Sequence, residues 1–170
     1  MRVLDLGCGV AKRETGAIGV DLDPHSHADL RFDLAQFPWP LADSIADRIY
    51  LFHILEHQPD LMRFMKEVHR IARASAEVRI ETPHYSSWNS FGDPTHLHHL
   101  GYRSFEFFCR PDGASPPRFQ ILDLRITFGG SFLFDVPGRI LYWISARLYE
   151  KHFAWIFPAM NLVCRLQAKK

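Results

Sequence analysis

Gly7, Gly9 and Asp21 are the residues whose types and spacing most directly suggest ligand chemistry. The two glycines end the run Val-Leu-Asp-Leu-Gly-Cys-Gly at residues 3–9, and Asp21 ends a second run, Ile-Gly-Val-Asp, at residues 18–21. Glycine lets the backbone turn sharply and lets a ligand approach without a Cβ atom in the way. A carboxylate at the tip of the next strand can accept hydrogen bonds from both hydroxyls of a ribose. The pattern therefore predicts a cofactor that carries a nucleoside and lies across the carboxyl ends of parallel strands.

The elements that would position these residues form an alternating series of strands and helices. This alternation predicts an α/β fold: a Rossmann-like, mostly parallel sheet with an antiparallel C-terminal edge. Apolar residues on one face predict a helix at 60–73, with Asp60 as its cap. The predicted strands are residues 2–6, 17–21, 29–32, 47–53, 77–82, 119–128 and 160–168.

The connection between the first two strands is unusually short. Residues 10–16 leave room for one helical turn at most. Parallel neighbours usually need a crossover of about a dozen residues or more. We therefore expect a fold that is shortened after its first strand, with part of one sheet face uncovered unless another segment packs there.

Composition bounds the class of protein. A chain of 170 residues can build a core without disulfides, so one domain over residues 1–170 is expected. The formal net charge of +1 gives no reason to expect nucleic acid as a partner. Cys8, Cys109 and Cys164 fit neither a disulfide framework nor a zinc knuckle. The chain enters a strand at once, with no signal peptide, so a cytoplasmic location is expected.

The glycine-rich segment also carries a family resemblance. Asp5-Leu6-Gly7-Cys8-Gly9 resembles the first motif of class I S-adenosylmethionine (SAM)-dependent methyltransferases, within the type-11-like group. Segments similar to those of the family follow in family order through roughly the first half of the chain, at residues 31–34, 37–41, 47–57 and 67–71. The resemblance implies SAM as the cofactor and methyl transfer as the activity.

The resemblance also implies roles for single residues. Gly7 and Gly9 would face the methionine half of SAM, Asp5 would stand near its amino group, and Asp21 would take the ribose. The segment that contains Asp33 would meet the adenine. The implied cofactor-binding residues are Asp5, Gly7, Cys8, Gly9, Asp21, Leu22, Asp33, Leu34, Phe52 and His53.

Catalytic residues are harder to assign from the sequence than the cofactor site. SAM supplies the reactivity, and the protein supplies alignment and sometimes a base. A neutral histidine at the ends of the fourth and fifth strands could remove a proton from an oxygen or nitrogen nucleophile. The alternative is that these side chains only brace loops. The catalytic candidates are His57, His84, Tyr85 and His96.

The histidine-rich loop at residues 84–99 is a second unusual feature. Imidazole and carboxylate suit zinc, iron or nickel, but the spacing fits no H-E-x-x-H helix or standard zinc motif. We therefore predict no metal site, and we expect the loop to line the acceptor pocket or to brace it. A metal-binding protein built on this loop is the less favoured alternative.

Residues 132–158 are predicted to form a helical insertion. Ile140, Leu141, Ile144 and Leu148 fall on one helical face, which predicts packing on the uncovered sheet face or against a second subunit. A peripheral membrane contact is the alternative, because such a helix can carry exposed aromatic side chains. Charged residues interrupt the run, so no transmembrane span is expected.

The acceptor is left open among a small molecule, a sugar and a lipid-linked precursor. No Asn-Pro-Pro-Tyr or Asp-Pro-Pro-Tyr follows the fourth strand, which argues against amino methylation of bases or glutamine by that route. A module that binds SAM without catalysis is the alternative function, and a homodimer is left open.

Overall fold

The computed structural model describes residues 1–111, 118–129 and 132–170. The strands are β1 (Val3–Leu6), β2 (Ile18–Val20), β3 (Ala46–Phe52), β4 (Ala72–Pro83), β5 (Phe119–Ile126) and β6 (Asn161–Ala168). The helices are α1 (Leu61–Ile71), α2 (Trp88–Gly92), α3 (Ser104–Phe108), α4 (Phe132–Ile144) and α5 (Ala146–His152), with a 3-10 helix at Leu55–His57.

The six strands form one mixed sheet in the order β2-β1-β3-β4-β6-β5. Strands β1 to β4 pair in parallel, and β6 runs antiparallel to both β4 and β5. The predicted α/β sheet with an antiparallel C-terminal edge is confirmed. The carboxyl ends of β1, β2, β3 and β4 therefore share one edge of the sheet, where the sequence places its ligand-binding residues.

Helix α1 forms where its apolar spacing predicts. The Asp60 carboxylate accepts a hydrogen bond from the Arg63 backbone N–H at 2.9 Å, which satisfies one of the free donors of the first turn. One face of the helix is buried and packs against the sheet; it carries Phe64, Met65, Val68 and Ile71.

The predicted strand at residues 29–32 is wrong. Leu30 makes only an isolated bridge with Val20. The Asp29 carboxylate accepts a hydrogen bond from the Gly19 backbone N–H at 2.7 Å. This N–H group is therefore not available to pair with the backbone of a neighbouring strand. The backbone N–H groups of Asp29 and Leu30 both donate to the Gly19 carbonyl, which leaves a turn-like contact rather than a ladder.

The crossover at residues 10–16 contains turns and no helix, as its length predicts. Glu14 reaches from it to the sheet, where its carboxylate accepts from Arg48 Nη1 at 2.9 Å and from the Tyr50 hydroxyl at 2.8 Å. The crossover therefore covers the sheet with the side chains of Glu14 and of Arg13, which lies over the Phe52 ring, rather than with a helix.

The sheet face beneath this crossover is mainly polar, apart from a small apolar cluster of Val3, Ala17 and Tyr50. Glu77 is the centre of the polar part: Arg48 Nε lies 3.2 Å from Glu77 Oε2, Arg79 Nη2 lies 3.0 Å from the same oxygen, and Arg165 Nη1 lies 3.6 Å from Oε1. We call these four residues the polar sheet face. The opposite sides of the same strands are buried, as at Val78 and Ile80 in β4.

The expectation that residues 132–158 cover this face is wrong. The side chains of the predicted stripe are mostly open to solvent, and Ile144 is 62% exposed. A polar sheet face does not need an apolar cover, so nothing draws α4 onto it. The segment instead docks at the antiparallel end of the domain, where Tyr142 and Tyr149 contact the Phe128 ring. None of the helices described is long and apolar enough to span a membrane.

Candidate cofactor and acceptor site

The glycine loop after β1 is shaped by two residues in the left-handed backbone region. Gly7 has a φ of +75° and Gly9 a φ of +55°, values that favour glycine. The Gly7 N–H donates to the Val20 carbonyl at 2.8 Å, so the loop folds back over the end of β2. A Cβ at Gly7 would lie 2.9 Å from Ile54 Cδ1, whereas a Cβ at Gly9 would meet no atom within 4 Å. The space over Gly9 is therefore open to a ligand.

Asp21 stands directly across from that open space. Its Oδ2 accepts the Gly9 backbone N–H at 2.8 Å, and its Oδ1 accepts the Asp23 backbone N–H at 2.9 Å. Each oxygen keeps a further lone pair, so the carboxylate can still accept from two hydroxyls. The structure thus brings Gly9 and Asp21 together at one sheet edge, as the sequence spacing predicts.

Asp5 and Cys8 are the buried members of the loop. Asp5 Oδ2 accepts the Arg13 backbone N–H at 2.7 Å, and burial raises the pKa of this carboxyl despite the nearby Arg13. Burial also raises the pKa of the Cys8 thiol. A Cβ at Gly19 would lie 2.7 Å from Cys8 Sγ, so this thiol packs against β2.

The remaining predicted cofactor residues differ in how they are placed. Leu22 is exposed beside Asp21. The Asp33 carboxylate accepts the Ala35 N–H at 2.8 Å and closes a turn, while the Leu34 side chain lies in the hydrophobic core. Only the backbone of Leu34 can therefore face a ligand. The Arg13 guanidinium lies 4.9 Å above the Phe52 ring.

His53 follows β3 directly and has a strained backbone. Its φ of +54° is uncommon for a residue with a side chain, and such strain concentrates at functional sites. Its Nδ1 lies 3.3 Å from Glu56 Oε1 in the next turn. The hydrogen bond to Glu56 raises the pKa of His53 above its ordinary value, although burial opposes the shift.

Glu56 is the buried partner in this pair. Its Oε2 accepts the Thr82 hydroxyl at 2.9 Å at the end of β4. Burial raises the pKa of Glu56, but the hydrogen bonds from His53, its own backbone and Thr82 outweigh burial and bring the pKa below its ordinary value. The carboxylate is therefore held ionised and fixed. The sequence places Glu56 at the end of the fourth strand, near the expected methyl-transfer site, but it predicts no role for this residue; its place three residues after His53 was the available signal for the pair.

His57 and His96 lie beside this pair, and both line the cavity of about 590 Å³ that His53 and Glu56 also line. The Nδ1–H group of His57 donates to the Thr95 carbonyl at 3.3 Å, and that of His96 donates to the Ser90 carbonyl at 3.0 Å. Nε2 of His57 is left as a proton acceptor, whereas Nε2 of His96 lies 3.7 Å from an oxygen of the Asp93 carboxylate. The histidine-rich loop thus forms a wall of the cavity.

His84 and Tyr85 have structural partners instead. His84 is fully buried; its Nδ1 accepts the Ser86 N–H at 3.1 Å, and its Nε2 lies 3.1 Å from a carboxylate oxygen of Glu150 in α5. The Tyr85 hydroxyl donates to the Glu150 carbonyl at 2.6 Å, and burial raises its pKa to about 12. Both side chains tie the end of β4 to α5, and neither offers a base to a substrate.

A second cavity, of about 610 Å³, adjoins the first one through Trp88, which lines both. Its walls are largely apolar and include Phe91, Trp155, Ile156 and Met160. Sequence reasoning missed this cavity because its walls come from two distant segments of the chain. The two cavities together offer a polar end near His53 and an apolar end near Trp155.

Solved structures of other proteins share this fold. A SAM-dependent methyltransferase from Archaeoglobus fulgidus is 20% identical, with a TM-score of 0.67 over 98% of this chain and 85% of that one. One from Mesorhizobium loti is 18% identical, with a TM-score of 0.62 over 98% and 90%. The [4+2]-cyclase SpnF is 15% identical, with a TM-score of 0.62 over 99% and 74%.

These likenesses define the class of the fold. The chain has the fold of the class I SAM-dependent methyltransferases. No protein-family model and no curated protein matches the chain, so the type-11-like group stays a prediction.

Proposed function

We propose that this protein is a SAM-dependent methyltransferase. The observation that carries the proposal is the open space over Gly9 beside the Asp21 carboxylate, at the carboxyl ends of β1 and β2. This is the arrangement that a nucleoside cofactor needs in a fold of this class. The neighbours titled as SAM-dependent methyltransferases support the same activity.

The residues present fit SAM. Asp21 would accept hydrogen bonds from the ribose hydroxyls, and the backbone of Gly9 would allow the ligand to approach closely. Asp5 is buried below the loop and would act on the amino group directly or through water. When bound, SAM supplies an electrophilic methyl group. Everything else in the reaction is alignment and proton transfer by the chain.

His53 is the base that the geometry favours. It follows β3 at the edge shared with Gly9 and Asp21, and it lines the polar cavity. Glu56 is a positioning residue, because its fixed carboxylate orients the His53 ring and favours the protonated imidazole. His53 would therefore take a proton from an oxygen or nitrogen nucleophile and hold it. His57 and His96 stay candidates, because both line the same cavity as His53.

We infer that the methyl acceptor is amphiphilic, with one polar part and one apolar part. Ligand sites combine apolar walls with a few polar groups that fix orientation. Here the polar groups lie at His53 and the apolar walls lie at Phe91 and Trp155. Among a small molecule, a sugar and a lipid-linked precursor, this pairing favours an acceptor with an apolar tail.

A transfer assay with labelled methyl groups tests the activity. Purified protein and SAM labelled in the methyl group would be incubated with a cell extract split into aqueous and chloroform-soluble fractions. We expect label to enter the chloroform-soluble fraction, and we expect His53→Gln to reduce the rate by about a hundredfold or more, the usual contribution of a general base. His57→Gln, at the next candidate base, should have a smaller effect if His53 is the base.

The pH profile separates a base from a structural residue. Only the neutral imidazole can accept a proton, so the rate should rise with pH through a pKa above the ordinary 6.5 of histidine. Glu56→Gln removes the stronger of the two nearby negative charges that favour the protonated ring, the other being Glu81, so the rise should move to lower pH. A profile that does not respond to Glu56→Gln would contradict the assigned pair.

A module that binds SAM without transferring its methyl group is the alternative function. The shortened crossover and the neighbour titled as a cyclase favour it, because the same fold can serve another reaction. SAM binding with no label in either extract fraction would support this alternative over methyl transfer.

A metal-binding role for the loop at 84–99 has one observation in its favour. Glu56, His57 and His96 each place a potential ligand atom within 4.8 Å of the other two. However, Glu56 already bonds His53 and Thr82, and His57 already bonds Thr95, so loop bracing accounts for the cluster. Calorimetric titration with zinc chloride would show a stoichiometric site if this alternative were correct.

The location we favour for this function is the cytoplasm. Cys8, Cys109 and Cys164 are all free thiols, as expected in a reducing compartment.

A further inference from the structure

The outer side of α4 is an exposed apolar stripe. Trp143 is 87% exposed and Phe132 is 85% exposed, although apolar residues of a globular helix normally face the core. The stripe members recur at spacings of three and four residues and so share one face of the helix. We call them the apolar helix face: Phe132, Leu133, Val136, Ile140, Trp143 and Ile144.

The other side of α4 holds the helix in place. Gly138 is packed so tightly that a Cβ there would lie 2.7 Å from a carbon of the Phe128 ring. The Tyr142 hydroxyl lies 3.4 Å from the Ile126 backbone nitrogen, and Asp135 is also buried on this side. The helix is therefore fixed to the domain by Asp135, Gly138, Leu141 and Tyr142 on its inner side, while the apolar helix face points outward.

The exposed charges of this region have one sign. Arg139, Arg147 and Lys151 are all exposed. The two acids of the same segment are turned inward, Asp135 to the domain and Glu150 to His84. Arg147 shares its charge with Glu106 at 2.9 Å. A basic rim around an apolar face complements an anionic surface, and it opposes contact with the same basic rim of a second copy.

Tryptophan on such a face is typical of a membrane–water interface. Its ring is apolar and its N–H group is polar, so it is stable at the level of lipid headgroups. Trp143 lies on the apolar helix face, and Trp155 and Ile156 are also exposed, beside the mouth of the apolar cavity. Trp155 and Ile156 therefore give the apolar cavity exposed apolar surface of its own.

We propose that the apolar helix face docks on an anionic membrane surface and that the acceptor is a lipid-linked molecule whose apolar tail occupies the cavity lined by Phe91 and Trp155. The choice of acceptor rests on the proposed methyltransferase function, whereas membrane docking does not. In this proposal Trp155 and Ile156, which line the apolar cavity, also meet the bilayer, and Trp88 lines both this cavity and the one lined by His53.

Vesicle sedimentation with the full chain tests the docking. The probes are vesicles of phosphatidylcholine alone and vesicles with added phosphatidylglycerol, without SAM. We expect binding to the anionic vesicles that weakens with salt. Trp143→Ser should weaken it by about tenfold or more, since the ring no longer leaves water. Leu122→Ser is the matched control: Leu122 is an exposed apolar residue on β5, and its loss should change nothing.

The outcomes separate the two parts of the proposal. Absence of vesicle binding by the wild-type protein, or equal binding by Trp143→Ser, overturns docking. A wild-type dimer in light scattering that Trp143→Ser dissociates assigns the face to a second copy and overturns docking as well. Label that enters only the aqueous extract fraction overturns the lipid-linked acceptor, while calorimetry with SAM on the same sample shows whether the cofactor site itself has failed.

Discussion

The polar sheet face is half-buried and the apolar helix face is open to solvent, and the two are built from different side chains. Sheets of parallel strands are normally buried on both faces and apolar on both. Here the uncovered side carries Arg48, Glu77, Arg79 and Arg165, so it is stable in water without a helix above it. The outer side of α4 has no such adaptation, since it exposes Phe132 and Trp143.

The composition of an exposed surface indicates whether it needs a partner. A sheet face that no helix covers and that carries charged side chains is stable in contact with water and needs no partner. A face that stays apolar while its helix is firmly packed on the other side indicates a partner. The comparison can be tested by substitutions at a buried position, on the polar sheet face and on the apolar helix face.

The largest effect is expected in the core. Ile80 is fully buried on the side of β4 opposite to the polar sheet face. Ile80→Ala should lower the free energy of unfolding by about 2–5 kcal/mol, because it removes buried methyl groups and leaves a cavity. Urea denaturation measures the change. A loss below about 1 kcal/mol would show that the sheet is not buried on this side.

A smaller effect is expected on the polar sheet face. Glu77→Ala removes the acid shared by Arg48, Arg79 and Arg165, and we expect a loss of about 1–2 kcal/mol that shrinks with salt. An unchanged or raised free energy of unfolding would mean that this network does not stabilise the uncovered face.

The effect of Glu77→Ala on stability should depend on pH. Burial raises the pKa of Glu77, but Arg79 and Arg48 outweigh burial and hold the pKa below its ordinary value of 4.5. A folded-state pKa that is lowered contributes stability that is complete above the unfolded-state pKa and is lost as the pH falls through the folded-state pKa. The difference in melting temperature between wild type and Glu77→Ala should therefore be full at neutral pH and disappear in acid.

The smallest effect on stability is expected on the apolar helix face. Ile144→Asp would cost several kcal/mol if Ile144 were packed in the domain, because a charge would be buried. Since Ile144 is 62% exposed, we expect a change within about 0.5 kcal/mol. A large drop in melting temperature would show that the face is covered by the domain itself or by a second copy.

The sequence was sufficient for the elements that obey a local rule. Helix α1 has a cap at Asp60 and a regular apolar spacing. Gly7 and Gly9 directly follow a short apolar run, and this pattern indicates a turn at the end of a strand. The segment at 29–32 failed because the Asp29 side chain bonds the backbone of Gly19 in place of a strand. Such a bond depends on a tertiary position that no local pattern reveals.

The position of residues 132–158 could not be predicted for a similar reason. The apolar stripe was visible, and the usual rule turns such a stripe inward. Gly138 and Tyr142 on the other side decide the outcome, because they pack against Phe128 and Ile126. In the site, the pairing of Gly9 with Asp21 followed from strand order, whereas the His53–Glu56 pair depends on the left-handed backbone of His53.

The binding of SAM to Gly9→Ala and Gly16→Ala variants tests the central claim most directly. Both glycines have a positive φ, +55° at Gly9 and +84° at Gly16, and a Cβ at either would meet no atom within 4 Å. Both variants should therefore carry a similar backbone cost of about 1–2 kcal/mol. Gly9 lies beside Asp21, whereas Gly16 lies before β2, at the end of that strand away from Asp21.

Isothermal titration calorimetry measures the affinity of the wild-type protein and of both variants for SAM. We predict micromolar binding by the wild type, the same affinity for Gly16→Ala, and an affinity at least about tenfold lower for Gly9→Ala, because the new methyl group occupies ligand space. Equal affinities for the two folded variants, or no binding by the wild type, would contradict the assignment of this loop as the SAM site.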